Sequence, residues 1–212
     1  MGGMESFEDR MRSGGMQAIR EASRFFMKDD PVHQSLLEIT QRLNDLGIPH
    51  AILGGMALVA HGYDRTTVDV DILVTSTSLE EALRSLDGLG YVRPFEKSHN
   101  LRDSKTGVRI EFVISGQFPG DGQPKPVSFP DPASVSVIID NIRYVNLQTL
   151  VELKLASGMT NPGRLRDLAD VQELIRVLRL PSDYAEQLNP YVRDRFTELR
   201  AAVEADSRAD DA

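Results

Sequence analysis

The segment Thr67 to Val74 (TVDVDILV) constrains the fold more than any other stretch of this chain. Read as a β-strand, it puts Val68, Val70, Ile72 and Val74 on one face and Asp69 and Asp71 on the other. The apolar face requires a packed core beneath it, so the two carboxylates are held side by side on a firm strand rather than on a loose edge. Adjacent like charges oppose each other unless a cation lies between them. Mg²⁺ suits such a place, because it takes oxygen ligands and keeps positions for water and substrate phosphate.

Upstream, a short apolar strand, His50 to Leu53, runs into Gly54 and Gly55, and a small-residue helix follows from Met56 to about Gly62. With no side chains on the glycines, the turn offers backbone N–H groups that suit a triphosphate. Downstream, Asn100–Ser104 and Val108–Ile114 read as a hairpin about Lys105–Gly107, with Arg109, Glu111 and Val113 on one face. Glu111 is the candidate third carboxylate. Three acids from neighbouring strands hold two ions about 4 Å apart, the arrangement that serves phosphoryl-type transfer. A Gly-Gly turn or an Asp-x-Asp strand alone is most often structural, whereas strand, turn, helix and strand in this order are specific.

The remaining elements support an α+β fold. Asp30 caps and Pro31 opens an amphipathic helix carrying Leu36, Ile39, Leu43 and Leu46, and a weaker helix is expected over Met16–Met27. Leu79–Leu86 reads as a helix and Tyr91–Val92 as a strand, while the Gly- and Pro-rich stretch Ser115–Pro132 reads as a long loop, either a binding loop or a surface insertion. A second hairpin pairs Val135–Ile139 with Arg143–Val145, and the rest is helical over Leu147–Ser157, Leu165–Leu178 and Ser182 to about Val203. The expected organisation is an N-terminal helical extension (1–30), a mixed-sheet core flanked by helices (31–146), a helical C-terminal lobe (147–205) and a disordered tail (206–212).

The stretch LGGMALVAHGYDRTTVDVDILV resembles the signature of the DNA polymerase β-like nucleotidyltransferase superfamily, in which a glycine pair and a helix precede an Asp-x-Asp strand. Together with VELKLASGMTNPGRLRDLADVQEL it is most similar to the small bacterial abortive-infection and toxin–antitoxin nucleotidyltransferases. The resemblance covers roughly residues 36 to 178. It implies a nucleotidyltransferase-type mixed sheet, a triphosphate held by Gly54 and Gly55, and two Mg²⁺ ions, with Mn²⁺ as a substitute, on Asp69, Asp71 and Glu111. It also implies that Lys154 contacts nucleotide phosphates and that Asp167 or Asp170 belongs to a polar nucleotide site on the helical lobe. The sequence departs from the superfamily at Gly55, where serine is frequent and its hydroxyl can bond a phosphate. The implied substrate is an NTP. The acceptor is a hydroxyl of a tRNA, a protein or a small molecule, and a cognate antitoxin is an implied partner.

Several of these residues have plainer readings. Lys154 can snorkel from an apolar helix face, and Asp167 and Asp170 can pair with Arg164 or Arg166 on the surface, since Arg166, Asp167, Asp170 and Glu173 fall opposite the apolar stripe. Arg65, just before the Asp-x-Asp strand, reaches either a carboxylate or a phosphate. His61 reads as a helix-terminal residue, and His33, His50 and His99 show no zinc-ligand spacing. A net charge of −8 argues against broad nucleic-acid binding and leaves one local basic patch, Arg93, Lys97, Arg102, Lys105 and Arg109, around the first hairpin. No cysteine is present, which removes thiolate chemistry; with no apolar membrane-spanning run, the chain is expected to be soluble and cytoplasmic. The competing readings are a catalytically inactive nucleotide- or protein-binding module of the same fold and, third, a structural Ca²⁺ site.

Overall fold

The structure, a computed structural model, describes residues 24–25 and 28–210. Most of the helix expected over Met16–Met27 lies outside the described residues; Arg24 and Phe25 are helical, and the Phe25 ring lies 4.8 Å from that of His33. Helix α1 (Pro31–Asp45) starts at the expected cap, where the Asp30 carboxylate accepts hydrogen bonds from the backbone N–H of Val32 at 2.7 Å and His33 at 3.3 Å. Val32, Leu36, Ile39 and Leu43 are buried, whereas Leu46 follows the last helical residue and is exposed.

Next come β1 (Ala51–Leu53), α2 (Gly54–Ala60), β2 (Asp69–Val74), α3 (Ser76–Leu86), β3 (Tyr91–Val92), β4 (Leu101–Asp103) and β5 (Arg109–Ile114). After the loop lie α4 (Pro132–Val135), β6 (Ser136–Ile139), β7 (Ile142–Val145), α5 (Leu147–Thr160), a 3₁₀ turn (Pro162–Arg164), α6 (Leu165–Leu178), α7 (Tyr184–Gln187) and α8 (Pro190–Asp210). The seven strands form one mixed sheet in the order β3-β4-β5-β2-β1-β7-β6. β2 runs parallel to β5 and β1 parallel to β7, while the other neighbours are antiparallel. This is the α+β, helix-flanked mixed sheet that the sequence implies. Both expected hairpins form, and the second turns through Asp140 and Asn141, each with positive φ, as a tight two-residue turn requires.

Differences from the sequence reading have local causes. The glycine pair is the first turn of α2 rather than a separate turn before a helix at Met56. In α6, Leu165 is exposed while Asp170 is only 3% exposed, so Asp170 belongs to the buried side and not to the solvated face. α5 and α6 approach closely at Gly158, where an added β-carbon would meet the Leu168 side chain at 2.5 Å. α8 continues past Val203 to Asp210, so residues 206–210 of the expected disordered tail are helical. Side chains from Glu204 to Arg208 are exposed there, and ion pairs Arg200–Glu204 (2.7 Å) and Arg176–Asp206 (3.6 Å) support the helix in place of apolar contacts. Among the described residues, no helix is long and apolar enough to cross a membrane.

The loop over residues 115–131 is tied to its surroundings. Gly116 and Gln117 exchange backbone hydrogen bonds with Phe129, Val127 is buried, and Lys125 donates to Thr160 Oγ1 at 3.2 Å. Asn161 Nδ2 donates to the Gly120 carbonyl at 3.1 Å, which joins the loop to the end of α5. Among the described residues one hydrophobic cluster extends from Phe25 to Val203, drawing on the sheet and on α5, α6 and α8 alike.

Candidate active site

The alternation of β2 and β5 and their parallel pairing build one side of a cleft of about 600 Å³. Asp71 is the register partner of Glu111, and Asp69 that of Arg109. Asp69, Asp71 and Glu111 each offer a carboxylate oxygen, all within 4.8 Å of one another. Three hard oxygen donors this close fit a divalent cation such as Mg²⁺. Burial, then the charges of Asp69 and Glu111, push the Asp71 carboxyl up to about 8, opposed by Lys154 and Arg109. The pair of Asp69 and Glu111 shares the Arg109 guanidinium, whose Nη2 lies 2.7 Å from Asp69 Oδ2 and 3.3 Å from Glu111 Oε2. The Thr67 hydroxyl donates to Asp69 Oδ1 at 3.0 Å.

The glycines sit where this geometry demands them. β1 and β2 pair so that Leu53 lies opposite Asp71, and Gly54 follows at φ +65° with its α-carbon against the Asp71 carboxylate. A β-carbon at Gly54 would come within 1.8 Å of Asp71 Oδ2, and one at Gly55 within 2.6 Å of the Thr67 side chain. The close approach is therefore to a carboxylate and a threonine, whatever else the backbone N–H groups bind.

The helical side of the cleft carries a second polar cluster. Lys154 Nζ on α5 lies 2.9 Å from Asp167 Oδ1 and 2.7 Å from Asp170 Oδ2, both on α6. Arg65, from the segment before β2, donates to both Asp170 oxygens at 2.8 and 2.9 Å, and Ser157 Oγ donates to Asp167 Oδ2 at 2.7 Å. Lys154 thus does not snorkel, and Asp167 and Asp170 pair with Lys154 and Arg65 rather than with Arg164 or Arg166. All nine residues singled out in the sequence line this one cleft. His61 caps α2 and hydrogen-bonds the Val145 carbonyl at 2.8 Å, outside it.

Arg109, Thr67 and Ser157 were not among the expected site residues. Strand alternation already placed Arg109 on the face of Glu111, but its charge was assigned to the hairpin patch. Three other members of that patch are committed elsewhere: Arg93 pairs with Asp87 at 2.6 Å, Lys105 with Glu38 at 2.8 Å, and Arg102 donates to the Gly107 carbonyl. Pro119, Gly120 and Phe129 bring the long loop into the cleft wall, which periodicity cannot reveal.

Residues 16–203 match the family described as "Uncharacterised nucleotidyltransferase". The chain belongs to that family. The DNA polymerase β-like nucleotidyltransferase assignment made from the two motifs therefore stands. Solved structures similar to this nucleotidyltransferase include ANT(2″)-Ia in complex with adenylyl-2″-tobramycin, at 12% identity over 82% of this chain and 97% of that chain, with a TM-score of 0.49. A putative nucleotidyltransferase from H. pylori matches at 16% identity, covering 91% and 95%, with a TM-score of 0.47. One from Thermotoga maritima matches at 16%, covering 68% and 91%, with a TM-score of 0.43. No curated protein matches the chain.

Proposed function

We propose that this chain transfers a nucleoside monophosphate from an NTP to an acceptor hydroxyl, with divalent metal held by Asp69, Asp71 and Glu111. The observation that carries the reading is the convergence of these three carboxylates within 4.8 Å in the cleft that also holds Lys154 and Arg65. The acceptor oxygen forms a bond to the α-phosphorus, the bond from that phosphorus to the bridging oxygen of the β-phosphate breaks, and pyrophosphate leaves. Glu111 orients the acceptor and takes its proton. Backbone N–H groups at Gly54 and Gly55 and the side chain of Lys154 bind the triphosphate. Asp167 and Asp170 hold Lys154 and Arg65 in place and complete the polar nucleotide site on the helical lobe. Two Mg²⁺ ions, or Mn²⁺ in their place, would supply charge neutralisation at the triphosphate and the acceptor oxygen.

The test is incubation with α-labelled and γ-labelled NTP, Mg²⁺ and total cellular RNA, protein and small molecules as acceptors. Label from the α-position should appear in an acceptor and disappear with Asp69→Asn; transfer of γ-label would make the protein a kinase instead. The labelled product assigns the acceptor to a tRNA, a protein or a small molecule, and only the first two would support a toxin-like role with an antitoxin partner. One observation favours a second reading, binding without transfer: Arg109 already bonds Asp69 and Glu111 and offsets part of their charge. NTP binding with no labelled acceptor would select it.

A further inference from the structure

Arg109 has no task in the transfer just described, yet it is the cation bonded to the carboxylate cluster. Its Nη2 touches Asp69 at 2.7 Å and Glu111 at 3.3 Å, which is the place in the charge pattern that a divalent ion would take. Both Asp69 oxygens accept a hydrogen bond, Oδ2 from Arg109 and Oδ1 from Thr67. The other cleft cations are placed differently. Lys154 and Arg65 are bonded to Asp167 and Asp170, and Arg164 and Arg166, which also line the cleft, make no ion pair among the described residues. The Arg109 head is held by the two carboxylates, while its Nε is buried with no acceptor. The side chain is 39% exposed, so it has room to leave toward the cleft.

We propose that Arg109 is a resident counter-cation that competes with divalent metal for Asp69 and Glu111, and that it moves onto phosphate oxygens when metal enters together with a nucleotide. The proposal rests on the metal-dependent reading above. A guanidinium bonded to two carboxylates takes up lone pairs that an ion would use and repels the ion by its charge, which weakens binding of the bare ion. A metal–triphosphate complex brings its own acceptors, and a planar guanidinium fork suits them. The site is then weak for metal alone and strong for the metal–nucleotide pair.

Calorimetric titration of Mn²⁺ into the full chain tests this, with and without an NTP analogue carrying an α,β-methylene bridge. Arg109→Ala should bind bare Mn²⁺ about tenfold tighter than the parent. With the analogue present the gain should vanish or reverse. Arg166→Ala removes the same charge from the cleft without touching the cluster and should stay within about twofold. The proposal is overturned if Arg109→Ala binds bare Mn²⁺ no tighter, or if Arg166→Ala gains as much, since then net charge alone is at work. Arginine Nε–H NMR of the unmutated protein decides the matter even if Arg109→Ala fails to fold: Mg²⁺ with the analogue should shift the Arg109 signal and speed its exchange, and an unchanged signal overturns displacement. Absence of any metal binding to the parent, with or without the analogue, instead sinks the metal-dependent reading on which this one stands.

Discussion

Two groups of acids line the same cleft in opposite electrostatic condition. Asp69, Asp71 and Glu111 are three carboxylates served by one guanidinium and one hydroxyl. Asp167 and Asp170 are two carboxylates served by an ammonium, a guanidinium and a hydroxyl. The first group keeps an excess of negative charge and one strongly raised carboxyl, so it can accept a cation from outside. The second is balanced from within. Its members come from the segment before β2, from α5 and from α6, so it fastens the helical third to the segment that leads into the central strand. Acidity in a sequence thus has two uses here, and only the count of internal cations separates them.

The largest expected effects come from exchanging one acid in each group. Asp71→Asn should lower transfer by roughly 10³-fold while leaving the metal-free melting temperature unchanged or raised, since it removes a buried carboxyl that folding must either keep protonated or ionise beside two acids. Asp170→Asn should instead destabilise the fold by about 3 kcal/mol in urea titration, because Lys154 and Arg65 lose their shared buried partner. If the two variants lose equal stability, the contrast between receptor and scaffold is wrong.

Proton binding sharpens the same contrast. The folded chain keeps a proton on Asp71 until about pH 8, whereas the unfolded chain releases it near the ordinary carboxylate value of 3.8. Between these values the folded state binds more protons, so this group's contribution to metal-free stability should fall as pH rises and level off above about 8. Metal needs the anion. Mn²⁺ affinity should therefore climb with pH by up to roughly tenfold per unit below about pH 8, and calorimetry in two buffers at pH 7 should count a released proton. An affinity flat from pH 6 to 8 would contradict the raised carboxyl. The smallest effect is expected of Ser157→Ala. Loss of its hydrogen bond to Asp167 should cost about 1 to 2 kcal/mol in urea titration, with transfer nearly intact.

Strand alternation and glycine placement made much of the sheet and the clustered acids readable from the sequence. The pairing of Asp71 with Glu111 was not readable in the same way, because parallel register between β2 and β5 depends on contacts 40 residues apart. The union of Arg65 with Asp170 spans 105 positions, and neither residue's neighbours hint at it. Asp170 looked solvated because helical phase alone put it opposite the leucines, and only the close approach of α5 at Gly158 turns that side inward. Past Val203 the apolar stripe stops while the helix goes on, since exposed helical turns need propensity and ion pairs rather than a core.

A β-carbon at residue 54 and a carboxylate at residue 71 lay claim to one volume, with 1.8 Å between them. The two positions therefore vary as a unit. Among descendants of this chain, or clones from a randomised library, the residue at 54 would report on the one at 71: an alanine there announces that the carboxylate has moved or gone. What reads in the sequence as a turn open to phosphate is, in space, also a mould for the Asp71 carboxylate.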